Sequence, residues 1–208
     1  MDRAEARSEN GRAGYRRSSR SDRGEARRRE LLDRVTEDLA TNGLVDFSLR
    51  RAARAAGTTH KVLLYHFDGV DDLLIQGVLR LRQRRVSGGL AAAGRARTLA
   101  GRVRAIWPVL VADEALVLDQ AIGLAMYDAA RYAVLGQDAS EQYMPALMSL
   151  CPPSWSDDRR LEVAAMVLGT LRGFLIDART SGDPMRIGAG FEALARALDR
   201  EEGADVQG

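Results

Sequence analysis

The sequence predicts an all-α protein, and three observations carry that prediction. Apolar residues recur at three- and four-residue spacing in one segment after another, which places them on single helix faces. No stretch of useful length alternates apolar and polar residues as a half-buried strand would. Aromatic residues make up only 5%, while the good helix formers Ala, Leu and Arg abound. At 208 residues and 46% hydrophobic, the chain is long enough to bury a sizeable core in one or two domains.

The elements follow in order. Residues 1–24 are dominated by Arg, Ser, Gly and Asp and have almost no apolar side chains, so they read as a disordered, Arg-rich arm. A helix is expected from Glu25 to Asn42, with Leu31, Leu32, Val35 and Leu39 on one face and Gly43 as its stop. Ser48 is placed to cap a short second helix over Leu49–Ala56, closed by Gly57. Thr58 or Thr59 caps a third, ending at His66 or Phe67. Two short helices joined by a turn at a glycine make a helix-turn-helix. A fourth helix runs from Val70 to Val86, with Ser87-Gly88-Gly89 as a break that Leu90–Ala93 could bridge. Further helices are expected over Ala96–Ala112, with Pro108 inside, over Glu114–Leu135, over Asp157–Thr180 and over Met185–Asp199. Pro152 and Pro153 mark residues 151–157 as a loop. The expected organisation is the arm at 1–24, a three-helix helix-turn-helix domain at 25–70, a helical domain at 71–202 and a frayed tail at 203–208.

Composition excludes several classes. One cysteine, Cys151, rules out an internal disulfide, and two histidines, His60 and His66, leave little for metal chemistry. No acid/base pair, nucleophile arrangement or cofactor motif is present, so neither an enzyme nor a cofactor is expected. The first 25 residues lack the apolar core of a signal peptide, and no run of about 18 apolar residues occurs, which points to a cytoplasmic protein and no membrane partner. The net charge of +2 hides an asymmetry: residues 1–85 carry 19 basic against 13 acidic residues, and the rest carries 12 against 16. A basic front half suits a polyanion. Lys61 is the single lysine among 31 basic residues.

Residues 30–81 resemble the TetR family of bacterial transcription regulators. The matching pieces stand in order: Gly43, Ser48, Ala56-Gly57, Leu63, Tyr65-His66-Phe67 and Asp71-Asp72-Leu73-Leu74. The resemblance implies a DNA-binding unit followed by a helical ligand-binding domain that dimerises through the last two helices. Two departures stand out. Leu64 occupies a position where many members have a phosphate-touching Tyr, and Asp68-Gly69-Val70 replaces a stretch with a small cap and a basic residue.

For a reading helix in a major groove about 12 Å wide, the N-terminal residues reach base edges. Lys61 can donate to guanine, His60 can donate or accept, and Thr59 can offer a methyl group to thymine. Tyr65 shares a face with Lys61 four residues earlier. Ser48, Thr58 and His66 are candidate phosphate anchors, and Arg50 could reach a guanine or a phosphate. Packing between helices is the alternative for Tyr65 and His66. The resemblance further implies a pocket among the middle helices, with Trp107, Met126, Tyr127, Met144, Met148, Arg172 and Phe174 as candidate lining; plain core is the alternative for each apolar one. Arg172 interrupts an apolar helix and could meet an acidic ligand, pair with Asp128 or Asp177, or reach solvent. For the dimer, the expected faces are Val163, Val167, Leu171 and Leu175 on one helix and Phe191, Leu194 and Leu198 on the next, unless these close the monomer core. The function so expected is a ligand-responsive repressor, a homodimer that leaves a near-palindromic operator in double-stranded DNA when a small-molecule effector binds. The alternative is a constitutive or architectural DNA-binding regulator without a ligand.

Overall fold

A computed structural model describes the backbone of residues 5–204, and the side chains within it except those of 5–21, 137, 138 and 204. The expected arm and tail therefore lie in part outside the described residues. Among the described residues there are nine α-helices, one 3-10 turn and no strand. The chain divides into two compact units, one made of residues up to Asp38 with Asp46–Gly77, the other of Leu39–Val45 with Val78 onward. The boundary expected at residue 70 thus falls a little later, within a helix.

The first unit holds α1 (Glu5–Asn42) as far as Asp38, α2 (Leu49–Ala55), α3 (His60–His66) and the start of α4 (Val70–Ala93). α1 begins at Glu5, well before Glu25; of the residues in that stretch only Arg is both frequent and a strong helix former. α2 begins where the Ser48 hydroxyl accepts from the Arg51 amide at 3.3 Å, and α3 where the Thr59 hydroxyl accepts from the Val62 amide at 3.4 Å. Gly57, at φ +62°, makes the turn between them in a conformation that costs a side chain dearly. Leu31, Leu32, Val35, Ala52, Ala53, Ala56, Leu63, Phe67, Leu73 and Leu74 form the buried core. Small residues on α2 let it approach its neighbours closely. Arg28 ties the unit together: its guanidinium donates to the His66 carbonyl (3.1 Å) and to Gln76 Oε1 (2.7 Å), and lies over the Phe67 ring.

The second unit contains the rest of α4, α5 (Leu99–Val111), the 3-10 turn Asp113–Ala115, α6 (Leu116–Tyr127), α7 (Ala129–Leu150), α8 (Asp157–Thr180) and α9 (Pro184–Ala204). Its core includes Val103, Ile106, Leu150, Trp155, Val163, Val167, Leu171, Phe191, Leu194 and Leu198. Three expectations are corrected here. Gly88-Gly89 does not break α4, which continues to Ala93; a Cβ on these glycines would stand in ordinary contact with Val109 and Ile106 of α5, at 3.5 and 3.6 Å. The helix expected over Glu114–Leu135 is instead two. Asp128, at φ −135° and ψ 77°, leaves helical geometry, and its carboxylate accepts from the Arg131 amide at 3.2 Å to start α7. α9 continues past Asp199 because its end is useful: Glu202 accepts from the Leu99 amide at 2.8 Å, capping α5, and Glu201 pairs with Arg159.

Candidate nucleic-acid interface and ligand cavity

The periodicity of α3 separates two sets of side chains. Leu63 and Phe67 turn into the core, while Thr59, His60, Lys61 and Tyr65 are exposed, Tyr65 at 82%. Leu64, one helical turn from His60, is also exposed. The face presented to solvent is therefore His60, Lys61, Leu64 and Tyr65, with the Thr59 cap at its N-terminal edge. Ser48 and Arg50 are exposed at the start of α2, and Thr58 is half-buried in the turn. His66 is half-buried, with its ring edge-on to Tyr65 at 5.0 Å between centroids and its carbonyl taken by Arg28. Its backbone is structural whatever its ring does.

The basic residues sort in a way that the sequence did not show. Arg28, Arg34 and Arg51 serve the fold: Arg34 donates to the Ala56 carbonyl at 3.1 Å, and Arg51 pairs with Asp38 at 2.6 Å in a largely buried site. Arg82 and Arg85, in the middle of α4, are buried in the second unit. Arg82 donates to the Leu135 carbonyl and Arg85 to the Leu110 carbonyl, tying α4 to α7 and α5. Arg54, exposed in the last turn of α2, joins the cations open to a polyanion. Its exposure follows from α2 burying Ala52, Ala53 and Ala56.

The second unit contains a cavity of about 290 Å³ walled by α4, α5, α6, α7 and α8. Its aliphatic wall includes Leu110, Leu147, Leu168 and Leu175, and its charged side chains among the described residues are Arg85, Asp119, Arg172 and Arg179. Of the seven residues expected to line such a pocket, only Arg172 does. Trp107 and Phe174 instead build an aromatic cluster with Phe191, at centroid distances of 5.4 to 6.2 Å. Met126 and Tyr127 are exposed at the end of α6, because the helix stops at Asp128 rather than running on. Met144 and Met148 are half-buried on α7, on faces away from this wall. Arg172 meets neither Asp128 nor Asp177; its Nη2 donates to the Ser140 hydroxyl at 3.1 Å, and Asp177 is held by Arg186.

The faces of α8 and α9 expected to dimerise are likewise corrected. Val163, Val167, Leu171, Leu175, Phe191, Leu194 and Leu198 are all buried within one chain. Among the described residues, no group of three or more His, Cys, Asp or Glu side chains is placed to hold a metal, and no helix is long and apolar enough to cross a membrane.

No family model matches the sequence, and no curated protein is significantly similar to it. Solved structures are similar in fold: 38 chains match. A TetR-family transcriptional regulator from Cytophaga hutchinsonii superposes with a TM-score of 0.65 at 15% identity, covering 85% of this chain and 95% of its own. The multidrug binding protein EbrR, complexed with imidazole, gives 0.62 at 18% identity, covering 83% and 90%. The transcriptional regulator FadR from Bacillus subtilis, in complex with stearoyl-CoA, gives 0.57 at 13% identity, covering 81% and 96%. At such identities the likeness is one of architecture: the chain has the TetR-family fold.

Proposed function

We propose that this protein is a DNA-binding transcription regulator, a repressor that works in the cytoplasm as a homodimer and leaves its operator when a small molecule fills the cavity of the second unit. The observation that carries the reading is the solvent-facing set His60, Lys61, Leu64 and Tyr65 on the second helix of a helix-turn-helix, in a fold shared with solved regulators. Such a helix fits the major groove, where Lys61 donates to guanine O6 or N7, His60 reads an adjacent edge, and the Thr59 methyl group and Leu64 meet thymine methyls. Ser48, Arg50, Thr58 and Tyr65 lie along the phosphates, with the His66 ring supporting Tyr65. The cavity favours a ligand-responsive regulator over one without a ligand, since interiors are normally packed without such voids. Because the inner faces of α8 and α9 are occupied, the dimer uses their outer faces, where Met166 is exposed on α8.

Selection of bound duplexes from a random pool tests the reading. The expected product is a near-palindrome whose half-sites are centred about 34–36 Å apart or a variant of that spacing. A pool that shows no enrichment overturns it.

A further inference from the structure

The charge on the cavity wall does not balance. Among the described residues lining it, three guanidinium groups face one carboxylate. That carboxylate, Asp119, is already shared: one oxygen accepts from Arg179 Nε at 3.1 Å, and the other lies 3.8 Å from Arg85 Nη1. Arg179 has further acceptors in the carbonyls of Val111 and Ala112. Arg85, with a side chain only 7% exposed, has the Leu110 carbonyl at 2.8 Å, and Arg172 has, among the described residues, only a neutral partner, the Ser140 hydroxyl. The Nε atoms of both Arg85 and Arg172 are buried with no acceptor among the described residues. A guanidinium withdrawn from water without an anion is costly, and the surrounding leucines weaken screening.

We propose that the effector is an amphipathic carboxylate, with an apolar body lying along the leucines and a carboxylate head received by Arg172 beside Arg85. The inference rests on the preceding reading that this cavity takes an effector. A carboxylate matches the planar fork of a guanidinium with two parallel hydrogen bonds. A neutral ligand can accept a hydrogen bond but leaves the excess positive charge uncompensated, and a cation adds to it. The volume, at the lower end of the usual range of about 300–1,000 Å³, suits a body of modest size.

Calorimetric titration of the full chain with matched pairs tests the inference: decanoate against decanol and decylamine, and 4-phenylbutyrate against 4-phenylbutanol. At least one acid is expected to bind about tenfold or more tightly than its alcohol, with the amine weakest. Arg172→Met should lower the acid-to-alcohol ratio about fivefold or more, and Arg172→Lys should retain part of the preference, which a general loss of structure would not do. Asp119→Asn, which removes the competing carboxylate, should raise the ratio. If no acid binds more tightly than its alcohol, or if Arg172→Met leaves the ratio unchanged, the inference is overturned. The titration contains no DNA, so that result leaves the operator reading standing, and a failed operator selection leaves the titration standing.

Discussion

Lys61 stands exposed on the first turn of α3, just beyond the Thr59 cap, and no other lysine occurs in the chain. If it reads a guanine, Lys61→Ala should weaken specific binding by about 1–3 kcal/mol and relax the preference at one base pair. Competition between selected and scrambled duplexes measures this, and an unchanged specificity ratio removes Lys61 from the reading set. Cys151 makes the opposite kind of prediction. Burial pushes its thiol above the usual range, outweighing the opposing effects of Arg160 and Arg102. The sulfur is therefore a protonated, sheltered group at neutral pH. Disulfide reagents should label it at least about tenfold more slowly in the folded chain than in denaturant, with reaction rising only at higher pH than for an exposed thiol. Equal rates would show that the folded chain does not shelter the thiol. Residue types on α3 were legible because a helix of seven residues leaves little choice about which side faces out. The roles of Arg82, Arg85 and Arg172 were not, since an arginine in an apolar helix reads the same whether its head turns to a carbonyl, an aspartate or water.

The helix caps decide where elements begin, and those of the helix-turn-helix were readable. Ser48 and Thr59 each accept from the amide three residues on, at positions the sequence pointed to, whereas Ser156 does so at a position it did not single out. Asp128 was missed because the residues around it stay helix-compatible in type, and only the departure from helical dihedrals at one position separates α6 from α7. Asp128→Ala should lower stability by about 0.5–2 kcal/mol by removing the cap, seen as a lower Tm in thermal unfolding. A Tm that does not move would mean that the break is imposed by packing and not by the aspartate. The pocket residues show the same limit from another side. Large apolar side chains were sound guesses for a lining, yet Trp107 and Phe174 found each other, and smaller leucines took the wall. Which large residue meets which is settled by three-dimensional packing, to which helical periodicity is blind.

At the scale of the whole chain, the basic front half overstates the charge offered to a polyanion. Arg28, Arg34, Arg51, Arg82 and Arg85 are engaged in the fold, so the surface set is smaller than the sequence suggests. The arginines of residues 1–24 then matter more. Deleting that stretch should flatten the dependence of log affinity on log salt, by nearly one unit of slope for each phosphate that the arm neutralises. An unchanged slope would assign the arm no part in binding. A different consequence follows from α6. Asp119 belongs to the cavity wall, and the next residue, Gln120, accepts from the Leu44 amide at 2.8 Å, where the chain leaves α1 around Gly43. A Cβ on Gly43 would come within 2.7 Å of that same Gln120 side chain, so glycine keeps the latch shut. Any occupant that displaces Asp119 disturbs, one residue on, the strap fastened to the exit of the first helix.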